Sequence, residues 1–160
     1  MSKKQVIEES ALFNGLSDNQ LEKIISIAKV RTFPPGSVII EEGAAGNSMM
    51  IISRGIVDIV QKVEAEDRNI KLATLSKGQI FGEMALIDIE PRSATVIASE
   101  ETEIVEIAQE DVNGLLTSSD GLNYIPILVN IARGMSEKLR KANQSLADIS
   151  NILKRYFYSH

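Results

Sequence analysis

Between Val30 and Ala108 the chain is cut every few residues by Gly, Pro or charged turns, and the pieces left between the cuts are short and rich in β-branched residues. They read VRTF (30–33), SVII (37–40), SMMIIS (48–53), IVDIVQKVE (56–64), IKLATL (70–75), RSATVIAS (92–99) and EIVEIA (103–108). Runs this short cannot carry an apolar stripe at helical period, whereas closely spaced strands joined by tight turns build an antiparallel sandwich or barrel. The flanks have a different period. Ser17 followed by Gln20 is a capping-box start, with Leu21, Ile24, Ile25 and Ala28 at helical spacing behind it, so residues 18–29 are predicted helical and residues 3–10 form a shorter helix. FGEMALI (81–87) is too short for a normal helix, a short helix is expected over 110–117, and a long one begins near Tyr124 with Pro126 tolerated in its first turn. The expected class is α+β, an antiparallel jelly-roll-like β-roll flanked by N-terminal helices and a long C-terminal helix. One domain spans 1–160: helices over 1–29, the roll over 30–108 and helices over 109–160.

Charge and composition narrow the functions open to such a fold. The 160 residues carry a net charge of −5, which disfavours nucleic acid and anionic membrane as partners. Residues 131–160 hold six bases against two acids, so this segment is a basic surface on an acidic protein. With no Cys and one His, the last residue, the chain has no disulfide, no Cys/His metal site and no Cys-His or Ser-His-Asp nucleophile system. No catalytic residues and no metal are therefore expected. The N-terminus lacks a signal-peptide core, and Pro126 and Asn130 interrupt the most apolar later stretch, so the expected location is cytoplasmic.

The chemistry concentrates in FGEMALIDIEPRSATV (81–96). Gly82 permits close backbone approach, and a short helix from Glu83 aims unpaired N–H groups outward, which suits an anion. Arg92 supplies a positive fork for phosphate oxygens, and Ser93 with the Ala94 amide adds donors. Glu83 is out of place beside a phosphate unless it accepts hydroxyl hydrogens and has a cation nearby. A sugar hydroxyl next to a singly charged phosphate meets both conditions. Phe81, Met84, Leu86 and Val96 are expected in the core, and the acidic groups at 41–42, 64–67 and 100–103 in solvated loops.

This stretch resembles the phosphate-binding cassette of the cyclic-nucleotide-binding domain family, the module of catabolite-activator-type regulators, cyclic-nucleotide-dependent kinase regulatory subunits and nucleotide-gated channels. EEGAAGNSMMIISRGIVDIV (41–60) is similar to the family's turn-strand-turn-strand signature, with Gly43, Gly46 and Gly55 at the turns, and the likeness spans about Phe13 to Asn143. The resemblance implies that Gly82 and Ala94 offer backbone to the ligand, Glu83 accepts from the ribose 2′-hydroxyl, and Arg92 pairs with the cyclic phosphate. Ser93 stands where a threonine often accompanies cGMP, which tilts the ligand towards cAMP and leaves cGMP open. Asn143 and Ala142 fall near the family's base contacts from the long helix, although Ala142 has no polar group.

Leu128, Ala132, Met135, Leu139, Ala142, Leu146, Ile149, Leu153 and Tyr156 alternate in steps of four and three, the seam of a coiled coil. At ~1.5 Å per residue such a helix runs on the order of 40 Å, more than a small roll covers. The expectation is a homodimer through this helix, against the alternative of a helix bent at Gly134 onto its own domain. Tyr156, with Phe157 and Tyr158, either caps the purine as a lid or finishes the seam. Regulators of the family continue into a helix-turn-helix module where this chain ends at His160, so output is expected through the long helix itself or through an effector protein of unknown identity. The functional expectation is a stand-alone cyclic-nucleotide sensor. The alternative is a ligand-free assembly module on the same fold, and a cupin-like metal enzyme lacks the histidines.

Overall fold

The computed structural model describes residues 2–63, 68–88 and 90–158, the side chains of Arg68 and residues 156–158 excepted. Two short helices, α1 (Lys3–Glu8) and α2 (Asp18–Ile27), precede the strands β1 (Lys29–Phe33), β2 (Val38–Ile40), β3 (Ser48–Arg54), β4 (Ile56–Val63), β5 (Arg68–Ser76), β6 (Ile80–Phe81), β7 (Thr95–Ala98) and β8 (Thr102–Ala108). Helices α3 (Gln109–Leu116) and α4 (Ile125–Tyr158) close the chain. All strand pairs are antiparallel, in two four-stranded sheets of order β1-β8-β3-β6 and β2-β7-β4-β5. This is the α+β roll that the strand spacing predicts.

The run SMMIIS has no polar alternation because β3 is covered on both faces. Met50 and Ile52 point between the sheets, where they meet Ile40, Val57, Phe81, Val96 and Ile104. Met49 and Ile51 point the other way, into a second cluster that the helices complete with Ile7, Phe13, Ile24, Tyr124, Ile127 and Ile131. Each fully buried aliphatic side chain contributes about 1.5–3 kcal/mol relative to exposure, so β3 and its neighbour β8 carry much of the stability. By the same period of two, Ser48 shares a face with Met50, and Glu106 on β8 shares one with Ile104.

Several boundaries differ from the sequence expectation. Helix α2 stops at Ile27, because Ala28 turns to extended backbone and Lys29 already pairs with β8. The strand expected over 92–99 begins only at Thr95: the Arg92 N–H donates to Ala44 O, and its carbonyl accepts from Gly43 N–H, tying this segment to the 43–45 turn. Met84 is half exposed rather than core. Glu103 lies in β8, as the strand reading of 103–108 has it and the loop reading of 100–103 does not, and it accepts from the buried Ser53 hydroxyl. The short strand β6 was not expected; two residues carry too little pattern to be read. The acidic group at 64–67 lies outside the described residues.

Helix α4 is continuous through Gly134 and does not fold back onto the domain. Ile127 and Ile131 bury its first turns, and the Asn130 amide donates to Leu12 O at 3.0 Å and Asn14 O at 2.8 Å. The predicted seam is a different stripe, exposed from Leu128 to Leu153, with Leu139 62% and Leu146 64% accessible. No helix among the described residues is long and apolar enough to cross a membrane.

Candidate functional site

Strand β6 delivers the chain to Gly82, which caps a 3-10 helix over Glu83–Leu86 in the left-handed conformation, φ 70°. A side chain there is excluded twice. The backbone angle is unfavourable to any L-residue, and an added Cβ would sit 2.7 Å from Arg92 Nη1 and 3.1 Å from Ser48 O. Gly46 plays a similar part on the other side of the arginine, where a Cβ would meet Arg92 Cδ and Nε at 3.3 Å. Two glycines from separate turns thus leave a slot that fits the Arg92 side chain.

Arg92 is half-buried and spends its end-on donors on neutral oxygens. Nη1 donates to Gly82 O at 3.3 Å, and Nη2 to Ser48 O at 2.7 Å and to Ser48 Oγ at 3.4 Å. Burial pulls the guanidinium below its ordinary pKa, while the charge of Glu106 pushes the other way. No carboxylate among the described residues lies at ion-pair distance from it. A cation partly removed from water and held only by carbonyl and hydroxyl oxygens is set to receive an anion.

Glu83 starts the 3-10 helix beside this fork, and its side chain is only 12% exposed. The cation it needs comes from α4, where the Lys138 ammonium donates to Glu83 Oε1. Lys138 was read in sequence only as one of the bases of a charged segment. Its position opposite Glu83 depends on the angular phase at which α4 leaves Ile131, which no local pattern encodes.

Gly82, Glu83 and Arg92 are therefore brought together as expected. Ser93 is exposed and Ala94 half-buried, both in the loop that leads into β7. Ala142 lies one helical turn beyond Lys138 on the same side of α4, with Asn143 next to it; both are exposed, and neither side chain bonds the cassette among the described residues. The Tyr156 side chain lies outside the described residues. Sequence reasoning missed Ser48 and Glu106 as well, since each stands in a predicted strand without a motif of its own.

The comparisons with known proteins agree with this geometry. The cyclic nucleotide-binding domain model matches residues 30–119. The chain is 33% identical over 146 residues to mouse cGMP-dependent protein kinase 2, covering 90% of this chain and 19% of the kinase. It is 30% identical over 139 residues to the Cyclic AMP receptor protein of Thermus thermophilus, covering 86% of this chain and 61% of that protein. The crystal structure of the Thermus thermophilus catabolite activator protein superposes with a TM-score of 0.75 at 29% identity, over 88% of this chain and 63% of the other. The chain thus spans about a fifth of the kinase and under two thirds of the bacterial receptor. With the roll, the glycine-lined arginine slot and the match over residues 30–119 in agreement, the chain belongs to the cyclic nucleotide-binding domain family.

Proposed function

We propose that residues 1–160 act as one cyclic-nucleotide sensor unit that prefers cAMP and reports binding through α4. The observation that carries this reading is Arg92, a half-buried guanidinium held by Gly82 and Ser48 oxygens with no carboxylate at ion-pair distance among the described residues. A 3′,5′-cyclic phosphate brings one negative charge and two exocyclic oxygens to such a fork, with Ser93 and the Ala94 amide as further donors. The ribose 2′-hydroxyl donates to Glu83, and Lys138 offsets the charge of that carboxylate next to the phosphate. The purine lies towards Ala142 and Asn143, one helical turn beyond the lysine that bonds Glu83. Serine rather than threonine at 93 favours cAMP, and the likeness to a Cyclic AMP receptor protein supports it; the kinase likeness keeps cGMP as the competing ligand.

Coupling to α4 runs through the Lys138–Glu83 pair. A hydroxyl arriving at Glu83 changes what Lys138 bonds, and so shifts the equilibrium between positions of the helix. The exposed seam from Leu128 to Leu153 is the homodimer surface, and an effector protein reads its state.

Calorimetry with cAMP tests the site. Arg92→Ala removes a desolvated charge pair and weakens binding by on the order of 2–5 kcal/mol. Equal affinity of wild type and Arg92→Ala overturns the assignment, and no binding by the wild type leaves the assembly module as the reading.

A further inference from the structure

We propose that Glu106, acting through the Ser48 hydroxyl, is a positioning residue that holds the Arg92 guanidinium in the pose that receives the cyclic phosphate. The proposal rests on the assignment of Arg92 as the phosphate ligand and adds what keeps that ligand aimed.

The geometry is a relay across three elements. Ser48 Oγ donates to Glu106 Oε1 at 2.9 Å, which commits the hydroxyl proton to the carboxylate and leaves an oxygen lone pair for Arg92 Nη2 at 3.4 Å. The Ser48 carbonyl takes the same Nη2 at 2.7 Å. Glu106 is itself fixed, because its second oxygen accepts from Arg31 Nη1 at 3.2 Å on the neighbouring strand β1. Ser48 is 4% exposed and the Glu106 side chain 19%, so water competes little for these bonds. The Glu106 charge supports the protonated arginine, in opposition to its burial.

An indirect arrangement has a chemical advantage over a direct ion pair. A carboxylate in bidentate contact with Arg92 would take the donors that phosphate needs and would have to be displaced by the ligand. With a hydroxyl interposed, the negative charge stays close enough to stabilise the guanidinium while no carboxylate occupies its fork. Nε–H has no partner among the described residues, and so remains for the ligand. The alternative role for Glu106 is structural, as the cross-strand partner of Arg31 in the β1–β8 ladder.

The two roles separate in a double-mutant cycle read by calorimetry with cAMP as the probe. Glu106→Gln and Ser48→Ala should each weaken binding roughly three- to tenfold, and neither should weaken it further in an Arg92→Ala background, because both act through that side chain. A loss of equal size with and without Arg92, or no loss at all, overturns the relay. A second arm needs no nucleotide: the Arg92 Nε–H resonance of 15N-labelled protein should be sharp in wild type and broadened in both variants while the backbone amide spectrum is retained. An unchanged Arg92 signal in the variants refutes the positioning role. If Arg92→Ala binds cAMP as tightly as wild type, the phosphate assignment falls and the functional part of this proposal with it, whereas the resonance still reports whether the relay orders Arg92.

Discussion

Lys138 on α4 donates to the carboxylate of Glu83 on the 3-10 helix, joining two residues 55 positions apart across the boundary between the roll and the C-terminal helix. The Glu83 side chain is largely shielded and that of Lys138 largely exposed, so the lysine reaches inward to a fixed acceptor. In the proposed function this one carboxylate is both the hydroxyl acceptor and the point where α4 senses the site.

If Glu83 accepts from the ribose, Glu83→Ala should cost cAMP roughly tenfold or more in affinity while 2′-deoxy-cAMP changes little, since acceptor and hydroxyl act as a pair. Calorimetry with both nucleotides checks it. Equal losses for the two ligands reject the ribose role.

Gly82→Ala should damage stability and binding together. The left-handed backbone costs a Cβ-bearing residue about 1–2 kcal/mol, and the new methyl would displace Arg92 Nη1 from 2.7 Å. Thermal unfolding should show a lower Tm and calorimetry a weakened cAMP interaction. An alanine variant with wild-type affinity would mean that Arg92 does not depend on the slot.

The exposed seam predicts a dimer in solution. Leu139→Glu combined with Leu146→Glu places charge at two of its most accessible apolar positions and should leave a folded monomer. Light scattering at micromolar concentration decides, and a monomeric wild type ends the proposal.

Tyr124 is fully buried, and its hydroxyl has no hydrogen-bond partner among the described residues. An unmet buried hydroxyl costs about 1–3 kcal/mol, so Tyr124→Phe should hold or raise stability, by up to roughly 1–2 kcal/mol in urea unfolding. A clear loss would show that the hydroxyl is bonded after all.

The roll and the cassette are legible in the sequence because both are local. Strand length, turn residues and the order of Gly82, Glu83 and Arg92 survive without knowledge of the third dimension. Where reading failed, a distant contact decided. Arg92 leaves the strand pattern because the 43–45 turn holds its backbone. Met84 is apolar yet exposed because the tight 3-10 turn rotates it away from Ala85 and Leu86, which are buried. Lys138, Ser48 and Glu106 carry no motif, and their roles come from which strand lies beside which and from the phase of a helix. The two apolar stripes of α4 show the same limit: period alone picks out the exposed stripe, but not that Ile127 and Ile131, with Tyr124 just ahead of the helix, anchor the helix root on a separate face.

Under the proposed coupling, the bonds from Asn130 to the Leu12 and Asn14 carbonyls would make α4 a lever with its fulcrum close to one end. At ~1.5 Å per residue, Lys138 sits about 12 Å from that pivot and the end of α4 about 42 Å. A rigid tilt that moves the lysine by about 1 Å therefore sweeps the far end through roughly 3.5 Å. That displacement runs across the helix axis and is about a third of the ~10 Å diameter of a helix, enough to change how the exposed leucines would pack on a partner. The gain of such a lever would be set by where Asn130 stands in the chain, and shifting that asparagine by one turn would change the gain without touching the pocket.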